Sequence, residues 1–152
     1  MAEMKVLLVD DEETFVQTLS ERLKMRDLKN DTVYDGEQAI EFVDENEPDV
    51  MVLDLKMPGI DGMEVLRQVK KKYPNIQVII LTGHGTDRDE EESRRIGVYD
   101  YLKKPVEIEE LVDRIKGAYK EKIQNAMAAA AFAEEGEYET ARGLMGNKKK
   151  EK

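Results

Sequence analysis

Four places in this 152-residue chain carry side chains suited to a phosphoryl group or a hard cation: Asp10-Asp11, Asp54, Thr82 and Lys104. Carboxylates brought together repel one another, and a divalent cation relieves that repulsion. Mg²⁺ keeps several of its waters and binds through one or two carboxylates plus phosphate oxygens, so such a cluster expects a phosphoryl group. A hydroxyl (Thr82) and an ammonium (Lys104) are suitable donors to phosphoryl oxygens. Taken singly, each has a plainer reading. Asp10-Asp11 reads as a helix cap, Asp54 as a loop cap at a strand end, and Lys104 as a solvated charge. Only their conjunction is specific, and it requires a fold that delivers all four to one place.

The surrounding sequence predicts such a fold. Lys5–Val9 is a short apolar run ending at Asp10, and Val50–Leu53 is another ending at Asp54. Ile76–Leu81 ends at Thr82-Gly83, and Val98–Leu102 runs into Lys103-Lys104-Pro105. Asp31–Tyr34 adds a weaker second strand. Between these runs, apolar residues recur at helical spacing: Phe15, Val16, Leu19 and Leu23; Ala39, Ile40 and Val43; Met63, Val65, Leu66 and Val69; Ile108, Leu111, Val112 and Ile115. Pro58-Gly59 marks a turn, and Gly97 closes the helix before the fifth strand. Lys70-Lys71-Lys72 places cations at a helix C-terminus, where the macrodipole favours them. Five short apolar strands alternating with helices predict a parallel sheet covered on both faces. All the candidate groups then emerge at its carboxyl edge, where open α/β sheets bind ligands. The pattern does not by itself give the strand order.

Composition narrows the function. The chain has no Cys, which excludes a disulfide framework or a thiolate metal site, and its single histidine, His84, is not a zinc site. The net charge of −10 lies within residues 1–120, while residues 121–152 are neutral. An acidic main domain argues against direct nucleic-acid binding and suits local concentration of a divalent cation. No apolar run approaches the ~20 residues that span a bilayer, and no signal peptide is evident, so no membrane association and a cytoplasmic location are expected.

Val9-Asp10-Asp11-Glu12, Leu53-Asp54-Leu55-Lys56-Met57-Pro58-Gly59-Ile60-Asp61-Gly62, Leu81-Thr82-Gly83 and Tyr99-Asp100-Tyr101-Leu102-Lys103-Lys104-Pro105 together resemble the receiver domain of two-component response regulators, over about residues 4–120. The resemblance implies a flavodoxin-like, doubly wound five-stranded parallel sheet of order 2-1-3-4-5, with helices on both faces. It implies that Asp54 accepts a phosphoryl group from a phosphohistidine on a sensor histidine kinase. Asp11, Asp54 and the backbone carbonyl of Lys56 would ligate Mg²⁺ directly, and Asp10 mainly through water. Lys104 would pair with the Asp54 carboxylate and then with the phosphate. Lys103, not directly before the proline, should point away. Thr82 would swing towards the phosphoryl group, and Tyr101 would follow inward as the switch aromatic. The chain would be no conventional enzyme, but would catalyse its own phosphotransfer and autodephosphorylation. Its implied partners are the kinase, an unidentified downstream protein and, in the phosphorylated form, a second copy as a dimer.

Two stretches depart from the family pattern. The segment GHGTDRDEEESRRI (83–96) has Glu90, Glu91, Ser93 and Arg94 where relatives place apolar residues. A helix there is expected to rest on Glu90–Arg94 and Glu91–Arg95 pairs rather than on burial, without an anchor to the sheet, and to be mobile until phosphorylation or a partner orders it. His84 either tunes attack of water on a phosphorylated Asp54 or is a solvent-exposed imidazole. Residues 121–152 are expected to form a helical extension, of which Asn147–Lys152 is disordered. Gly136–Ala141 resembles part of a tetratricopeptide-type hairpin; an Ala-rich helix that docks or frays is the alternative. Three rival functions make different demands on these residues. A DNA-binding transcriptional activator would contain this receiver as one part. A Mg²⁺-dependent phosphohydrolase of the haloacid-dehalogenase type needs Asp-x-Asp after strand one, which Asp10-Asp11 does not match. A flavin carrier needs a Ser/Thr/Gly phosphate cradle that the first loop lacks.

Overall fold

The computed structural model describes residues 3–143, with the backbone alone for 135–143. Strands β1 (Val6–Val9), β2 (Asn30–Val33), β3 (Val50–Leu53), β4 (Gln77–Thr82) and β5 (Asp100–Lys103) alternate with helices α1 (Glu13–Lys24), α2 (Gly36–Glu45), α3 (Gly62–Lys72), α4 (Asp87–Ile96) and α5 (Ile108–Gly143). All four strand pairings are parallel, in the order β2-β1-β3-β4-β5. This is the doubly wound sheet that the family resemblance implied.

Alternation along each strand sends neighbouring side chains to opposite faces. Leu7, Val9, Met51, Leu53, Val78, Ile80 and Tyr101 join the layer built with Ala39 and Val43 of α2 and Met63, Val65, Leu66 and Val69 of α3. Val6, Leu8, Val50, Val52, Ile79, Leu81 and Leu102 face Val16, Leu19 and Leu23 of α1 and Leu111, Val112, Ile115 and Ala118 of α5. With helices on both faces, β1, β3 and β4 are buried along their whole length. That is why their sequences read as continuous apolar runs.

Strand boundaries shift by a residue or two from the sequence expectation: β1 begins at Val6 rather than Lys5, β2 runs Asn30–Val33 rather than Asp31–Tyr34, and β4 begins at Gln77 rather than Ile76. Thr82 lies within β4, paired with Lys103. β5 starts at Asp100 rather than Val98, because Gly97 adopts φ 116° and its amide and that of Val98 both donate to the Ser93 carbonyl. Val98 thus belongs to the end of α4.

α4 also corrects the expectation that it lacks an anchor. Thr86 and Asp89 form a reciprocal capping box at its N-terminus. Ser93 is completely buried, its hydroxyl donating to the Asp89 carbonyl at 2.7 Å and lying 3.5 Å from the Met63 sulfur. Glu90 pairs with Arg94 at 2.9 Å as expected. Other bridges run from Glu92 to Arg67 of α3 at 2.7 Å and from Arg94 to Asp100 of β5 at 3.6 Å, and no Glu91–Arg95 pair forms among the described residues. A small side chain at position 93 lets α4 lie against α3 without an apolar stripe.

The chain falls into two compact units, residues 1–119 and 120–152. In the second, helix continues through Gly136 to Gly143 without a turn, so the described residues contain an extended α5 and no hairpin. Met127 and Phe132 are exposed there. The proposed disordered Lys-rich end, Asn147–Lys152, lies outside the described residues. No helix among the described residues is long and apolar enough to cross a membrane.

Candidate functional site

The parallel register places the acidic residues side by side. Val9 is the partner of both Val33 and Leu53, and the ladder runs one residue further: the Asp10 amide donates to the Val33 carbonyl and that of Asp54 to the Val9 carbonyl. Asp10 and Asp54 therefore leave adjacent strands at the same height. Asp11 follows on the exposed side. One carboxylate oxygen from each of Asp10, Asp11 and Asp54 lies within 4.8 Å of the others.

Lys104 comes to the cluster from β5. Its amide donates to the Thr82 carbonyl, and its ammonium lies 2.8 Å from Asp10 Oδ2, 2.7 Å from Glu12 Oε1 and 3.8 Å from Asp54 Oδ2. The Phe15 ring floors it, with its centroid 4.3 Å from Nζ. An ammonium has three donors. Two are taken by Asp10 and Glu12, and the third is left for Asp54.

Burial and charge oppose each other here. Burial pushes the Asp10 carboxyl above its ordinary range, and the hydrogen bonds from Lys104 and the Glu12 amide only partly offset it. Burial draws the Lys104 ammonium down, yet Asp10, Glu12 and Asp54 together outweigh it and leave it raised, so it stays charged. Glu12 is held low by its bond to Lys104. Asp54 is 3% exposed, and its Oδ1 is buried with no hydrogen-bond partner. Leaving such an acceptor unmatched costs roughly 1–3 kcal/mol or more. Three converging carboxylates with one buried oxygen unmatched suit a small, hard dication with oxygen ligands. The residues fit Mg²⁺.

Thr82 is buried, and its Oγ1 accepts from the His84 amide at 3.3 Å. Tyr101, expected to turn inward only on phosphorylation, already stands inward here: it is 6% exposed, its hydroxyl buried without a partner. Burial raises the phenol, followed by Asp89, Glu90, Asp54 and Asp87. Lys103 and His84 are exposed. The Lys56 side chain turns towards Asp89, 3.9 Å away. A wider cleft of about 1200 Å³ lies elsewhere, lined by Lys5, Lys24, Asp27, Lys29 and Asp31 among others; its mixed charges form no comparable cluster.

The structure thus brings Asp10, Asp11, Asp54 and Lys104 together at the carboxyl edge, with Thr82 on the strand next to Lys104. Sequence reasoning missed Glu12 and Phe15, which fix the lysine. Glu12 stands at the N-cap of α1, yet its side chain makes no cap bond and goes to Lys104 instead. The only signal was an acid immediately after an acidic pair.

The model of the family described as response regulator receiver domain matches residues 6–116. The response regulator receiver domain protein from Clostridium thermocellum is similar at 34% identity with a TM-score of 0.76, over 80% of this chain and 98% of that one. The receiver domain of the Francisella response regulator 1452 is 32% identical, with a TM-score of 0.73 over 78% of this chain and 98% of that one. NtrX from Brucella abortus, in complex with ADP, shares the fold at 24% identity and a TM-score of 0.78, over 84% of this chain but 30% of that one.

Proposed function

Because this chain belongs to the family of response regulator receiver domains of two-component systems, we propose that it accepts a phosphoryl group on Asp54 and passes the signal on by protein binding. The carrying observation is the buried Asp54 carboxylate, with one oxygen unmatched and the other facing the Lys104 ammonium at 3.8 Å. The donor in this reading is a phosphohistidine on a sensor histidine kinase. An Asp54 oxygen attacks phosphorus in line, the P–N bond to the imidazole breaks, and the imidazole leaves with the electron pair and takes up a proton. Transfer of this kind has a loose transition state, so positioning and charge neutralisation supply most of the catalysis.

Asp11, Asp54 and the Lys56 backbone carbonyl would hold Mg²⁺ directly, and Asp10 through water. Bound there, the ion neutralises charge on the phosphoryl oxygens. Lys104 keeps Asp10 and Glu12 and turns its third N–H to a phosphoryl oxygen. Thr82 exchanges the His84 amide for the same group. A phosphoryl group adds about −1.5 to −2 charges, enough to bias a two-state surface. The switch runs from Thr82 through Tyr101 to α4 and β5, the surface on which a downstream protein or a second copy binds. Hydrolysis of the acyl phosphate by water returns the carboxylate, so the chain resets itself without being an enzyme in the ordinary sense. The proposed setting is the cytoplasm, with residues 1–120 as the receiver and 121–152 as a helical extension.

Intact mass after incubation with acetyl phosphate tests this. One phosphoryl group is expected with Mg²⁺, none with excess chelator and none in Asp54→Asn. Full addition in the variant contradicts the reading.

A further inference from the structure

Gly85 lies between the exposed His84 and the α4 cap Thr86. Among the described glycines, positive φ occurs at Gly59 and Gly97, so the backbone at Gly85 would accept an L side chain. Space would not. A Cβ at Gly85 would stand 1.8 Å from the Tyr101 hydroxyl oxygen, 3.1 Å from its ring Cζ and 3.1 Å from Thr82 Cγ2. The first distance is far inside van der Waals contact, while the other two are tight contacts that shifts of a few tenths of an ångström relieve. The obstacle is thus one atom, the phenolic oxygen, and that oxygen is buried with no hydrogen-bond partner to hold it there. Among the described residues no hydrogen bond to its hydroxyl holds Tyr101 inward, and the absence of a side chain at position 85 leaves room for that oxygen.

We propose that Gly85 is a positioning residue: its missing side chain forms the slot occupied by the Tyr101 hydroxyl, and so sets the inward position of the ring beside Thr82. This rests on the receiver reading only for its consequence, since Tyr101 carries the signal only if Asp54 is phosphorylated. Gly85→Ala closes the slot and turns the tyrosine outward. Tyr101→Phe removes the colliding oxygen, so a phenyl ring stays inward even with alanine at 85. The Thr82 contact is common to both backgrounds and cancels in the comparison.

The test is a two-by-two set of Gly85→Ala and Tyr101→Phe, read by aromatic-to-methyl NMR contacts between residue 101 and the Thr82 γ-methyl. The contact is expected in the wild type and Tyr101→Phe, lost in Gly85→Ala, and restored in the double variant. A purely structural glycine would disturb both backgrounds alike and give no restoration. If Gly85→Ala does not fold, a folded double variant supports the slot, and an unfolded one overturns it. Persistence of the contact in Gly85→Ala overturns it as well. Acetyl phosphate labelling of the same wild-type sample separates the two ideas. A labelled protein with an unchanged contact pattern rejects the slot alone, and an unlabelled protein with loss and restoration rejects the receiver reading alone.

Discussion

At the scale of single residues, charge is concentrated where burial makes it costly. Among the described residues Lys104 is the cation that faces Asp10, Glu12 and Asp54, so its loss leaves the buried Asp10 and Asp54 oxygens without it. Lys104→Ala is expected to lower the unfolding free energy in chelator by about 1–3 kcal/mol, and Mg²⁺ should restore much of it. The variant should still bind the ion but lose most of the change in structure on phosphorylation. Lys103→Ala should stay within about 0.5 kcal/mol of wild type; denaturant titrations of both variants check the assignment, and reversed effects would put it one residue off. Asp10 gives a pH dependence of definite sign. Its folded pKa lies above its unfolded value, so its favourable contribution is present below the unfolded pKa and lost as pH rises through the folded one. In chelator, Asp10→Asn should therefore be more stable than wild type at neutral pH, with the gap closing as the pH falls into the acid range. Unfolding midpoints across pH measure this, and a pH-independent gap would contradict it. The acidic residues and Lys104 were legible in the sequence because their types and strand-end places fix their chemistry. Glu12 and Gly85 were not, because each acts through one partner that only the packed fold brings within reach.

At the scale of elements, α4 is held differently from its neighbours. Five residues of α3 are buried, Gly62, Met63, Val65, Leu66 and Val69, against Ser93 alone in α4. Local opening of α4 should therefore cost less free energy than opening of α3. Amide hydrogen exchange is expected to be faster over 87–96 than over 63–70 in the unphosphorylated protein. Equal protection would show a hold that the capping box, Ser93 and the bridges to Lys56, Arg67 and Asp100 do not account for. Thr86→Ala should speed exchange further, since losing such a cap costs about 0.5–2 kcal/mol. Strands β1, β3 and β4 were legible because burial on both faces writes them as apolar runs. The start of β5 was not, because Val98 is apolar yet is claimed by the left-handed cap at Gly97. The anchor of α4 was hidden for the opposite reason: a buried serine looks like a surface residue in sequence.

At the scale of the whole molecule, the helical pattern and strand count predicted a covered parallel sheet, but the order β2-β1-β3-β4-β5 could be named only through the family resemblance. Periodicity says which face a residue takes, not which strand lies beside it. The order matters because it sets β1 against β3 and β4 against β5, which is what brings Asp10 to Asp54 and Lys104 to both. The first unit ends at Tyr119, and Leu111, Val112, Ile115 and Ala118, the residues of α5 buried among those described, lie within it. A chain ending at Lys120 is expected to unfold cooperatively within about 1 kcal/mol of the full chain, as denaturant titration would show. The central claim is that this arrangement makes Asp54 a phosphoryl acceptor. The most direct measurement is borohydride reduction after treatment with acetyl phosphate and Mg²⁺, followed by peptide mapping, since reduction of an aspartyl phosphate leaves homoserine at the modified position. Homoserine at position 54, absent when Mg²⁺ is chelated, is the predicted result; homoserine at Asp10, Asp11 or any other aspartate instead would contradict it.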